Sequence, residues 1–362
     1  MSTTPCATDM RVAAAVDQLP QAALDLFADP HQGPGVAAFY DSAPWYRLIE
    51  QTALPSRAQP HHLTLWQLGQ PVALLPMLRL EDGSLSSLTT PYSCAHRPLL
   101  SHNAIPAEQA GLLAARAVRG CKGLRLEAID ARWPDLASFC AGLRQGGLVL
   151  LRFGHFGNWC ESVPDGSFAS YLAGRDGALR ETIRRRTNRL LREEGVRLEM
   201  LSDGPDLARG IAAFETVYAK SWKRAEPYPA FNQAMIRLCA QLGLLRLAVL
   251  WRCDVPVAVQ YWIVANGTAS VLKLAHDMAE DRASPGTVLS AWAIRQMMEH
   301  EAITMLDFGR GDDPYKRQWA TTRNPHIGIM AANPRHPSGA LLIARHMAGR
   351  LRHWLREDVI AP

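Results

Sequence analysis

Two segments far apart in the chain carry one pattern. Leu63–Ser84 reads LTLWQLGQPVALLPMLRLEDGS and Leu247–Thr268 reads LAVLWRCDVPVAVQYWIVANGT. Aligned on Trp66 and Trp251, they place Pro71, Val72 and Ala73 over Pro256, Val257 and Ala258 with identical internal spacing. Self-similarity of this kind marks a supersecondary unit used twice. Each copy reads as a β-hairpin: an apolar strand, a short polar turn ending in proline, a second apolar strand, then Asp82-Gly83 or Asn266-Gly267 as the next turn. The surroundings agree. Pro106–Gly120 and Pro285–His300 read as helices opened by proline, and each precedes a short apolar strand, LRLEAI or ITMLDF. The order β-β-β-α-β thus occurs twice. The spacing predicts an α+β (mixed α/β) chain of two tandem units, each a mixed central sheet flanked by helices. A length of 362 residues suits two such units.

Between the copies lies LRETIRRRTNRLLREEG, Leu179–Gly195, in which Leu179, Ile183, Leu190 and Leu191 form a narrow apolar stripe on an arginine-rich helix ending at glycine. Arg175 to Arg197 holds eight arginines against Asp176, Glu181, Glu193 and Glu194, a local basic face on a chain whose net charge is only +5. A further helix is expected at FETVYAKSWKR, and the chain closes with the amphipathic, basic GALLIARHMAGRLRHWLRE. Apolar residues at 48% and charged residues at 20% exclude a disordered chain. No run approaches the roughly 18–20 apolar residues of a membrane span, and the N-terminus has no basic segment leading into an apolar stretch, so a cytoplasmic protein is expected. The seven cysteines (Cys6, Cys94, Cys121, Cys140, Cys160, Cys239, Cys253) are dispersed without a C-x-x-C pair, which favours reduced thiols and no metal site.

The run LKLAHDMAEDRASPGTVLSAWAIRQMMEHEAITMLDFGRGDDPYKRQWA, Leu272–Ala320, resembles the acyltransferase domain of the GNAT superfamily, in the branch of FemAB-like and cellulose-biosynthesis-associated (CelD-like) acetyltransferases. The specific pieces are the turn Arg282, Ser284, Pro285, Gly286, Thr287 and the D-F-G-R-G-D-D-P-Y-K run from Asp307 to Lys316. The arginine helix, FETVYAKSW and PYSCAHRPLL from Pro91 also look like that family. The resemblance implies an N-terminal extension over 1–37, a degenerate GNAT-like domain over 38–160, the acyltransferase domain over 161–335 and a C-terminal amphipathic helix over 336–362.

By the same resemblance, the turn between a central strand and the next helix binds the pyrophosphate of acyl-CoA, with acetyl-CoA the first choice of co-substrate and no metal. Free N–H groups and the dipole at a helix start favour an anion. Arg282, Ser284, Gly286, Thr287 and Val288 are therefore the cofactor-binding candidates, although the same residues also suit an ordinary helix start. Asp307 and Tyr315 follow the last strong strand. Acyl transfer to an amine needs a base for the ammonium proton and benefits from an acid at the leaving thiolate, so Asp307 and Tyr315 are candidates for these roles; Asp307 can equally hold the acceptor amine or cap a turn. His276, at the end of VLKLAHD, is a third catalytic candidate, with solvation in a polar loop as its plain alternative. Lys273, Arg310 and Lys316 are candidate substrate-binding cations. No G-x-S-x-G elbow, H-E-x-x-H or P-loop is present, which points to direct attack of the acceptor on the thioester.

The function implied is an acyl-CoA-dependent N- or O-acyltransferase acting on a cell-envelope or exopolysaccharide-related acceptor, a small molecule or a glycan or peptide. A FemAB-like aminoacyl-tRNA-dependent ligase and a non-catalytic GNAT scaffold of a polysaccharide synthesis system are the alternatives. The arginine helix at 180–197 is a solvated face, a contact for nucleotide or tRNA phosphates, or a weak contact for an anionic membrane surface or sugar polymer.

Overall fold

A computed structural model describes residues 10–16, 21–33, 35–101 and 105–357. Cys6 and the last residues of the C-terminal segment lie outside them. Two compact units are present: residues 1–28, 54–156 and 325–362 form the first, and residues 29–53 and 157–324 the second.

In the first unit, β1 (Met10–Val16) runs antiparallel to β2 (Gln59–Gln67), so the segment expected as an extension supplies a strand. β2 pairs with β3 (Gln70–Leu75), and β4 (Met77–Arg79), β5 (Leu85–Ser87), β6 (Leu99–Leu100) and β7 (Gly123–Asp130) complete the early sheet. Pro76 separates β3 from β4, as expected of a residue that cannot donate to a ladder. The helices Ala107–Ala117 and Leu136–Gln145 pack on it over a core that includes Leu63, Leu65, Leu113, Phe139, Leu143 and Ile329. The PYSCAHRPLL segment is structural here. His96 is fully enclosed, its backbone N–H donating to Ala128 O at 2.9 Å and its Nε2 lying 3.0 Å from Pro76 O. Burial pushes its pKa down to about 4. A histidine depressed in the folded state favours folding above its unfolded value and loses that contribution as pH falls from about 6.5 toward 4. Melting temperature is therefore expected to fall across this window in the wild type and to fall less steeply in His96→Gln, as read by circular dichroism.

The strand β8 (Val149–Ser162) leads into the second unit, which continues with β9 (Val196–Leu201), β10 (Leu245–Arg252), β11 (Val255–Ala265), β12 (Thr268–His276) and β13 (Met305–Arg310), in the order β8-β13-β12-β11-β10-β9. β14 (Thr322–Ala332) then returns to the first unit, where His326–Ala332 pair with β7. The repeat is visible in the register. Trp66 pairs with Pro71 and Trp251 with Pro256, and each hairpin has its irregularity one residue before the tryptophan. Both turns use two successive left-handed residues, Leu68 and Gly69 (φ 51° and 79°) and Cys253 and Asp254 (φ 47° and 62°), as the right-handed twist of a two-residue hairpin requires. Each unit also contains a parallel strand pair, β5 with β7 and β12 with β13.

The copies differ from β5 and β12 onward. β5 has three residues and is followed by irregular chain, whereas β12 has nine and passes through a 3₁₀ turn, Met278–Ala283, into the helix Pro285–His300. That helix buries Val288, Leu289, Ala293, Ile294 and Met297 in a core shared with Leu250, Val271, Leu306 and Phe308.

Residues 38–53, assigned from sequence to the N-terminal domain, belong to the second unit. Trp45 on the helix Ala43–Thr52 meets Phe231 edge to face, ring centroids 6.1 Å apart, and both side chains are enclosed. Burying two aromatic rings outweighs sequence adjacency. The basic helix runs Gly177–Leu190, and the helix expected at FETVYAKSWKR runs Leu207–Ala219, which leaves Ser221, Trp222 and Lys223 in the loop that follows.

Candidate functional site in the second unit

β12 and β13 are parallel neighbours for three residue pairs only, Thr268, Ala269 and Ser270 with Met305, Leu306 and Asp307. β12 then continues to His276 against β11, while β13 turns at Gly309 (φ 65°) and pairs with β8 through Arg310 and Asn158. The ladder between the two strands ends at the Ser270–Asp307 pair.

Beyond the end of β12 stands the start of the helix Pro285–His300. Ser284 precedes it in the left-handed region (φ 53°), a conformation that costs a residue with a side chain and is kept where the surroundings demand it. Pro285 has no N–H, and Val288 donates to Ser284 O at 3.2 Å. Val288 is therefore withdrawn from the donor set expected from sequence, its side chain being core at 1% exposure. Gly286 and Thr287 keep the N–H groups for which an α-helix has no internal partner. The turn is pinned from below by Gln260, 1% exposed on β11, which donates to Gly286 O at 3.2 Å and to Ser290 Oγ while accepting from Trp262 Nε1 at 3.2 Å. Its only sequence signal was a polar residue inside an otherwise apolar strand.

His276 lies against this turn. Its Nε2 is 2.7 Å from Asp281 Oδ1, and its ring is 4.6 Å from that of Trp222. A β-carbon on Gly286 would stand 3.1 Å from His276 Nδ1, so the glycine keeps the space between ring and helix start. Arg282 is exposed on the 3₁₀ turn before Ser284.

Asp307 is 7% exposed. Burial raises its pKa, against the opposing pull of the Gly309 N–H, which donates to Oδ1 at 2.7 Å, of Asn158, of the Lys316 charge and of Ser270. At Tyr315 burial first and the Asp313 charge second raise the pKa and keep the phenol protonated.

The three proposed substrate cations separate. Lys316 is buried: at 3% exposure its Nζ donates to the carbonyls of Gly309, Arg310 and Gly311 at 3.1, 2.6 and 3.3 Å, which stabilises the bend after β13. Lys273 is committed to Glu226, which also accepts from Tyr218 Oη. Arg310 closes β13 half-buried. Lys223 is a further cation near the site. Its pKa is lowered by burial first and then by the Lys273 charge, with Asp313 and Glu226 opposing, and it lies 5.5 Å from the centre of the Trp222 ring. A helix expected to extend through SWKR hid it.

Among the described residues no group of three or more His, Cys, Asp or Glu side chains is placed to hold a metal, and no helix is long and apolar enough to cross a membrane.

Residues 177–317, within the second unit, match the family model described as an acetyltransferase (GNAT) domain. Among solved structures the chain is similar to a tandem GNAT protein from the clavulanic acid biosynthesis pathway, at 13% identity and a TM-score of 0.54 over 90% of this chain and 100% of that one. It is similar to FemX at 9% identity and a TM-score of 0.54, covering 81% and 92% of the two chains. L-PGS from Bacillus licheniformis follows at 13% identity and a TM-score of 0.50, covering 83% and 94%. No curated protein matches the chain significantly. The fold is thus α+β in two tandem GNAT-like units, and the second carries the GNAT-type sequence.

Proposed function

We propose that this chain is an acyl-CoA-dependent N- or O-acyltransferase acting on a cell-envelope or exopolysaccharide-related acceptor by direct attack on the thioester. The observation that carries the reading is the interrupted parallel ladder between β12 and β13, with a pinned helix start just beyond β12. Two N–H donors at Gly286 and Thr287 and the positive end of a 16-residue helix suit the diphosphate of acetyl-CoA or a longer acyl-CoA. The strand gap beside them suits the pantetheine arm and thioester. Asp307 at the end of the shared ladder acts as base toward the acceptor, and Tyr315 returns a proton to the leaving thiolate. His276 and Lys223 flank the acceptor side.

Isothermal titration with acetyl-CoA, longer acyl-CoAs and aminoacyl-tRNA tests the donor. Binding of an acyl-CoA supports the reading. Binding of aminoacyl-tRNA alone favours a FemAB-like ligase, and binding of neither leaves a scaffold role. Gly286→Val is expected to weaken acyl-CoA binding at least tenfold, because the branched side chain enters space bordered by His276 and covers the donors. The helix itself tolerates the change at a fraction of a kcal/mol, so an unchanged affinity in a folded variant would remove the turn from the donor site.

A further inference from the structure

The arginine helix meets the other side of the same turn. Arg186 and Arg189 near its C-terminal end, Glu193 beyond it, Arg252 at the end of β10, and Glu280 and Arg282 of the 3₁₀ turn line a cavity of about 550 Å³. Its volume lies in the range of small-molecule sites. The charges do not balance within it. Arg252 is shared between Glu193, at 2.9 Å, and Glu280, and Arg189 reaches Glu193 only at 3.9 Å. Four arginines thus face two glutamates. The Nε atoms of Arg186 and Arg252 are buried without a hydrogen-bond partner. The surplus of positive charge also stands beside the positive end of the helix Pro285–His300, where a further cation is disfavoured unless an anion joins it.

We infer that this cavity receives a phosphate monoester, the 3′-phosphate on the ribose of the acyl-CoA whose diphosphate rests on Gly286 and Thr287. The inference builds on the acyl-CoA reading. A phosphomonoester carries nearly two charges and three acceptor oxygens, and the planar guanidinium fork matches it in bidentate fashion. Arg282 links the two sites, since it lines the cavity and lies four residues before Gly286. The four arginines are confined to one helix end, one strand end and one turn, which suits a single phosphate better than the extended backbone of a nucleic acid, which needs an open row of cations. This assigns a ligand to Arg186, which is half-buried, and to Arg189 at the cavity's exposed edge, while Arg184 is held by Glu181 at 2.9 Å.

The test is calorimetric titration of the full chain with CoA and with 3′-dephospho-CoA, in the wild type and in the double variant Arg186→Gln/Arg282→Gln. The wild type is expected to bind CoA at least tenfold more tightly than dephospho-CoA. The double variant is expected to bind both at the dephospho-CoA level, with an unchanged melting temperature. Equal affinities in the wild type would overturn the inference and leave the acyl-CoA reading standing, as would a variant that weakens both ligands alike. If neither ligand binds, both fall. Binding of tRNA that the double variant loses, without CoA discrimination, would reassign the cavity to a nucleic-acid phosphate.

Discussion

Asp307→Asn is expected to cut turnover by roughly 10²–10⁴-fold, the usual contribution of a general base, while leaving the melting temperature at neutral pH unchanged or raised. The carboxylate is 7% exposed at the last pair of the β12–β13 ladder. Asparagine keeps an acceptor for the Gly309 N–H, so the bend of β13 survives. Because burial raises the Asp307 pKa, the folded state binds its proton more tightly than the unfolded chain does. That contribution is present at low pH and is lost as pH rises through the folded value, so removing the charge costs no stability at neutral pH. Wild-type turnover should increase with pH through the raised value, and the residual turnover of the variant should not. Melting temperature and turnover measured on one preparation decide the matter: normal turnover ends the role of base. Asp307→Ala, which also loses the Gly309 bond, is expected to lower stability by about 0.5–1.5 kcal/mol.

Glu161→Ala should destabilise the fold by about 3–5 kcal/mol, the cost of stranding a buried partner charge. Glu161 and Arg175 are paired at 11% and 6% side-chain exposure. Glu161 also accepts from Thr321 N at 2.8 Å and Thr321 Oγ at 2.7 Å, and Arg175 donates to Trp319 O at 3.1 Å, beside the Tyr171 hydroxyl at 2.8 Å. Together they hold the chain that leaves the Gly309–Lys316 bend. Replacing both charges with Glu161→Leu and Arg175→Met should restore much of the loss, since packed apolar groups replace a buried pair at little cost. Chemical denaturation reads both variants, and a loss below 1 kcal/mol for Glu161→Ala would show that water reaches the guanidinium.

The candidate site was legible where its chemistry is local. The start of the helix at Pro285 needs only a ring that sets φ and gives up an N–H, and His276 and Arg282 flank it within ten residues. The cations were harder to read. Nothing in the Asp307–Lys316 run says that Lys316 turns back onto three carbonyls, or that Lys273 meets Glu226 from a loop 47 residues earlier. Lys223 was hidden by an amphipathic pattern that continues past the last helical residue.

Alternation, turn residues and proline act over a few residues, and they sufficed to reveal the repeated hairpin and the order of strands and helices around it. Long-range packing was needed to bring the Ala43–Thr52 helix into the second unit, to stop the β12–β13 ladder at Asp307, and to line one cavity with arginines 186, 189, 252 and 282. Those outcomes depend on which apolar faces are buried together and which charges are thereby brought close, and both are set by contacts between residues distant in the chain.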